Sequence, residues 1–159
     1  MPRRKTELVA RNIVADPVYQ SELVTRFVNV IMSRGKKNAA RTIMYEALEM
    51  LESKVGSKEK ALELFYKAYN NVVPLIEVRP RRVGGSVYQI PREVGEQRAR
   101  SLALRWLKDA AASRSDKSMG LRLGSELIEA SEERGGAFKK KLDVHKMAEA
   151  NRAFSHFAW

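Results

Sequence analysis

The side chains best placed to do chemistry in this sequence are cationic, and they fall into groups. They are Arg3, Arg4, Lys5 and Arg11; Arg34, Lys36 and Lys37; Arg79, Arg81, Arg82 and Arg92; Arg114, Lys117 and Arg122; and Lys139, Lys140 and Lys141 with Arg152. The chemistry they suit is phosphate recognition. A guanidinium fork pairs bidentately with phosphate, and an ammonium supplies a compact charge. Acids are placed elsewhere: Glu46, Glu49 and Glu52, and Glu126, Glu129 and Glu132, recur at helical spacing within apolar-periodic runs. The bases instead cluster where such runs end. This segregation suits a backbone-reading surface better than a uniformly solvated one.

The totals agree. Thirty Lys and Arg against 19 Asp and Glu leave a net charge of +11 over 159 residues. Such an excess calls for a polyanion, nucleic acid or an anionic membrane surface, and the clustering favours nucleic acid. With no cysteine, the chain makes no disulfide, thiolate metal site or cysteine nucleophile. His145 and His156 are too few and too far apart to suggest a metal. No nucleophile elbow, zincin motif or dinucleotide fingerprint occurs, so the reading is of a non-enzyme that needs no cofactor. Gly35-Lys36-Lys37 lacks the upstream glycine and following Ser or Thr of a P-loop; it reads as a helix N-terminus that accepts phosphate. No run of about 18 apolar residues exists to span a membrane, and the basic stretch MPRRKTELVARN lacks the apolar run of a secretory signal.

The elements that must position these groups are mainly helical. Residues 1–20 read as a basic arm broken at Asp16-Pro17 and ordered only against a partner. Val24, Phe27, Val28 and Ile31 mark a first helix from Ser21, stopped at Gly35. A second runs from about Lys36 to Lys54 on Ala40, Ile43, Met44, Ala47, Leu48 and Leu51. Ser57 caps a third, which buries Leu62, Phe65, Ala68, Tyr69 and Val72. Residues 77–91, EVRPRRVGGSVYQIP, then break the helical period with a β-hairpin turned at Gly84-Gly85. That register sets Val83 opposite Ser86 and Arg81 opposite Tyr88, with arginines on both faces. Such a ribbon is marginal alone, so it should project and be held by what it touches. Tyr88 is placed to stack on a base or to pack beneath the arginines.

A fourth helix is expected from near Arg92, with Ala99, Leu102, Ala103, Trp106, Leu107 and Ala110 inward. Ser115 or Asp116 caps a fifth, with Met119, Leu123, Leu127 and Ile128 in the core and Gly120 and Gly124 one turn apart for close backbone approach. A sixth runs from Ala137 to about Asn151, and residues 152–159 form an aromatic tail. With no repeat and no second set of apolar stripes, the expectation is one mainly α domain over 1–159: a six-helix bundle with a two-stranded hairpin protruding between helices 3 and 4.

Four stretches, DPVYQSELVTRFVNVIMSRGKKNAA, RPRRVGGSVYQIPREV, RWLKDAAASRSDKSM and HKMAEANRAFSHFAW, closely resemble the small-subunit ribosomal protein seven family in its bacterial and organellar branch. The resemblance covers essentially the whole chain. It implies direct binding to small-subunit ribosomal RNA at a multi-helix junction and nucleation of head-domain assembly. It also implies a place at the subunit interface near exit-site transfer RNA and the messenger path, beside small-subunit proteins nine and eleven. Arg34, Lys36, Lys37, Arg79, Arg81, Arg82 and the stretch Arg114 to Lys117 fall in matching motifs. The arm and the Lys139–Lys141 run match in character only. Leu142 stands where many members carry an acid and Ala158 where many carry arginine. The short arm favours a cytoplasmic ribosome, with the organellar alternative open, and the resemblance raises regulation of the protein's own messenger. Two rivals differ in kind. A DNA-binding module needs one recognition helix loaded with bases, and an RNA-modifying enzyme needs a nucleophile, metal set or cofactor loop. The sequence carries neither signature.

Overall fold

The structure, a computed structural model, describes residues 13–157. Six helices and one hairpin follow in the expected order: α1 (Glu22–Ile31), α2 (Lys37–Val55), α3 (Lys58–Val72), β1 (Ile76–Val83), β2 (Ser86–Glu93), α4 (Glu96–Ala112), α5 (Met119–Ser131) and α6 (Gly135–Ala150). A 3-10 helix, Arg152–Phe157, ends the described chain.

Local chemistry accounts for most boundaries. The Ser57 hydroxyl accepts the Lys60 N–H at 3.3 Å and starts α3. Gly56 ends α2 in the left-handed region at φ +81°, a conformation that costs glycine little. Three helix starts differ from the sequence reading, and of these α6 begins at Gly135 rather than Ala137. The cap of α5 is Ser118, whose hydroxyl accepts the Leu121 N–H at 3.2 Å, rather than Ser115 or Asp116. Helix α4 begins at Glu96, not near Arg92, because Arg92 still pairs with Glu77 across the ribbon. Cross-strand pairing here overrides a local helical preference.

A single buried cluster draws on α1 through α6. Phe27 of α1 and Phe65 of α3 stack at 6.0 Å with their rings 12° apart. Met44, Leu48 and Leu51 of α2, Leu107 of α4, and Leu123 and Leu127 of α5 complete its fully buried centre. Leu62, Tyr69, Trp106, Met119 and Ile128 pack around it half-buried. Helix α5 touches α2, α3, α4 and α6, and its two glycines explain how. A Cβ at Gly120 would lie 2.6 Å from the Cβ of Glu46, and one at Gly124 would lie 2.7 Å from Sδ of Met50. The glycine pair is therefore a seat for α2. Gly120→Ala is expected to destabilise the fold by about 1–3 kcal/mol through overpacking, despite its better helix propensity. Urea unfolding followed by circular dichroism checks this; a stabilised variant would refute the close approach.

The segment before α1 also differs from expectation. Residues 1–12 of the arm lie outside the described residues. Residues 13–20 do not await a partner, because Asp16 is buried and bonded to the bundle. Its Oδ2 accepts the N–H groups of Val18 and Tyr19, and its Oδ1 accepts the Tyr45 hydroxyl of α2 at 2.9 Å.

Candidate nucleic-acid interface

The hairpin has the expected register, with Val83 opposite Ser86, Arg81 opposite Tyr88 and Arg79 opposite Ile90. Gly84 and Gly85 take φ +57° and +91°, so both central residues of the turn are left-handed, as the twist of a two-residue loop demands. Its faces are less alike than the sequence suggests. Ile90 is buried, and the Tyr88 ring lies 4.7 Å from that of Phe154 in the 3-10 helix. Phe154 thus covers the Tyr88 side of the ribbon. The other face presents Arg82 and Val87 at the tip, with Val87 65% exposed.

The root of the ribbon is held by a carboxylate the sequence reading did not single out. Glu77 is buried, and its two oxygens accept Nε of Arg79 and Nε of Arg98, each at 2.6 Å. Arg98 belongs to α4, so this ion triad ties β1 to the helix that follows the hairpin. Burial pushes the Glu77 carboxyl up, but the hydrogen bonds and charges of Arg98 and Arg79 outweigh it and hold the group below its usual range. A carboxyl depressed in the folded state stabilises fully above its unfolded pKa. That contribution is lost as pH falls through the folded pKa. Glu77→Gln should therefore flatten the acid limb of the stability profile below the ordinary carboxylate range. Thermal melts across that range measure it; an unchanged limb would show that the triad contributes nothing.

Between α1 and α2 the chain turns at Arg34 (φ +51°) and Gly35 (φ +73°). Lys36 occupies the N-cap of α2 with no side-chain cap, and no acid stands in the first turn. Free N–H groups and two lysines at the positive end of a helix dipole repel each other and attract anions. Arg34, Lys36 and Lys37 are exposed and make no ion pair among the described residues.

The third group is divided by the structure. Lys117 is exposed in the turn between α4 and α5. Arg114 faces inward: its NH1 donates to Oε2 of Glu126 and Oε2 of Glu129 at 2.9 Å, and its NH2 donates to Oε1 of Glu129 at 2.6 Å. Glu126 is 1% exposed, and its Oε1 accepts the Ala137 N–H of α6 at 2.8 Å. One guanidinium therefore joins the end of α4 to α5 and, through Glu126, to the start of α6. Hydrogen bonds to Glu129 and Glu126 hold Arg114 more firmly protonated, and Arg114 holds the Glu129 carboxyl below its usual range. Gly135 makes this possible: at φ +89° a Cβ there would approach Oε1 of Glu126 to 2.8 Å. Arg122 is turned to the backbone, donating from Nε to the Asp116 carbonyl at 2.6 Å.

Helix α6 presents Lys139 and Lys140 to solvent. Lys141 instead donates to the Asn71 carbonyl of α3 at 2.7 Å and lies 5.7 Å from the centre of the Phe138 ring. Burial lowers its pKa. Arg92 and Arg152 are exposed. The structure thus separates outward cations (Arg34, Lys36, Lys37, Arg82, Arg92, Lys117, Lys139, Lys140, Arg152) from those engaged within the fold (Arg79, Arg114, Arg122, Lys141). Arg81 is half-buried beside Tyr88. Arg3, Arg4, Lys5 and Arg11 lie outside the described residues. Among the described residues no group of three or more metal-ligating side chains occurs, and no helix is long and apolar enough to cross a membrane.

Comparison with known proteins converges on one family. A family model described as Ribosomal protein S7p/S5e matches residues 2–152. The chain is 50% identical over 159 residues to the small ribosomal subunit protein uS7 of Acidithiobacillus ferrooxidans, covering all of both chains. It is 54% identical over 157 residues to the uS7 of Nitrosomonas europaea, covering 99% of each, and 50% identical over 156 residues to that of Nautilia profundicola, covering 98% of this chain and 99% of the other. A six-helix bundle with a cationic hairpin, matched from end to end at this level of identity, belongs to the ribosomal protein S7p/S5e family.

Proposed function

We propose that the chain is a structural constituent of the bacterial-type small ribosomal subunit, in the cytoplasm, and binds small-subunit ribosomal RNA directly at a multi-helix junction of the head. Members of the family are structural proteins rather than enzymes. The observation that carries the reading is the uncapped start of α2, where Arg34, Lys36 and Lys37 have no counter-charge. A protein stabilised for itself alone would put an acid there. Phosphate supplies the missing charge. Arg82 and Val87 at the hairpin tip, Lys117, Lys139, Lys140, Arg92 and Arg152 extend the same outward set. Arg114, Arg122, Arg79 and Lys141 serve as struts that fix its geometry.

In this reading recognition is of RNA shape, through backbone spacing and unstacked bases. The protein nucleates folding of the head. The hairpin reaches towards exit-site transfer RNA and the messenger, with small-subunit proteins nine and eleven as neighbours. Titrating the full chain against the head-domain junction RNA across salt tests the proposal. Tight binding that a scrambled junction fails to compete is the expected result. Equal affinity for both RNAs would overturn it, and preference for duplex DNA would restore the DNA-binding rival.

A further inference from the structure

We propose that the cleft between the 13–17 segment, α1 and the first turns of α2 is a subsite for one unstacked nucleobase. The inference rests on the RNA-binding reading above and sharpens it from phosphate contact to base contact. The cleft holds about 520 Å3, enough for a single base and far too little for a helix. Its walls are aliphatic: Val14, Pro17 and Val28 line it, and Val14 is 80% exposed among the described residues. A flat ring is the natural occupant of such walls, since stacking and apolar contact are what an unpaired base offers.

Two polar side chains give the cleft a reading edge. Thr25 and Asn29 lie one helical turn apart on α1 and both line it. Neither side chain has a hydrogen-bond partner among the described residues. Asn carries a donor and an acceptor side by side, the pattern that pairs bidentately with a base edge. Lys37 and Arg41 also line the cleft and make no ion pair among the described residues. They supply charge for the phosphate that accompanies the base. The one carboxylate among the described lining residues, Asp16, is fully engaged by the Val18 and Tyr19 N–H groups and the Tyr45 hydroxyl. Those bonds fix the 13–17 wall against α2, so the cleft is formed before RNA arrives.

The test uses the full chain and the head-domain junction RNA. Asn29 is exposed, so Asn29→Ala leaves the fold intact, which circular dichroism verifies. The variant is expected to bind the junction about 5- to 150-fold more weakly, as loss of a bidentate base contact should. Its salt dependence should match that of the wild type, because no phosphate contact is lost. Abasic substitution through the unpaired junction nucleotides should reveal one position that weakens wild-type binding by a similar factor and leaves Asn29→Ala unaffected. If Asn29→Ala binds like the wild type while charge reversal at Lys36 and Lys37 weakens binding, the base subsite is refuted and the RNA-binding reading stands. If the wild-type chain does not prefer the junction at all, both fall together.

Discussion

Replacing Arg114 by alanine is expected to lower the unfolding free energy by about 3–5 kcal/mol, the range for breaking a buried ion pair from one side. Few arginine substitutions in a cationic protein should cost so much, since exposed ion pairs contribute about 0–1 kcal/mol. The difference is burial. Glu126 is 1% exposed and has Arg114 as its sole cationic partner among the described residues, its other bond being the Ala137 N–H. Without the guanidinium a carboxylate is left in the core beside Gly135 with no charge to balance it. Arg114→Lys keeps the charge but loses the fork that serves Glu126 and Glu129 together, and should fall between. Urea unfolding at neutral pH measures all of this. A loss below about 1 kcal/mol at neutral pH would mean that Arg114 is a surface cation after all, available to RNA as its sequence context suggests.

Charge reversal at Lys36 and Lys37 should have the opposite profile. Each lost phosphate contact lowers the slope of log affinity against log salt by about 0.7–0.9. The double variant should therefore bind junction RNA far more weakly at low salt and converge towards the wild type as salt rises. The folded chain alone should gain stability, by about 0.3–1 kcal/mol for each acid placed at the start of a helix. Weaker binding with a more stable fold is the signature of a site shaped for its ligand rather than for the protein. Fluorescence anisotropy across a salt series, paired with thermal melts, separates the two quantities. An unchanged slope would remove this helix start from the RNA surface.

The hairpin admits a similar separation. Excising residues 79–88 should leave the helical circular dichroism intact, because the shared core contains no residue of the ribbon. Subunits carrying the shortened chain should nonetheless assemble or translate poorly. Collapse of the helical signal would instead show that the ribbon is a structural part of the fold.

These contrasts mark what the amino-acid order alone determined. Apolar residues at helical spacing, Ser57, Gly35, Gly56 and the Gly84-Gly85 turn are local signals, each acting over one or two turns of chain. They were enough for six helices, one hairpin and its register. The family was legible from motifs, and the cationic character from composition. Which cations face outward was not. Arg114 and Lys117 sit three residues apart in the same basic turn, yet one is locked to Glu126 and the other is exposed. Arg98 finds Glu77 across 21 residues, and Lys141 finds the Asn71 carbonyl across 70. The covering of Tyr88 by Phe154 and the anchoring of Asp16 by Tyr45 are likewise long-range. An arginine has the same local preferences whether its partner is a buried glutamate or a phosphate. Only the packing of α4, α5 and α6 decides, by placing a desolvated carboxylate within reach of one guanidinium and leaving its neighbours in water.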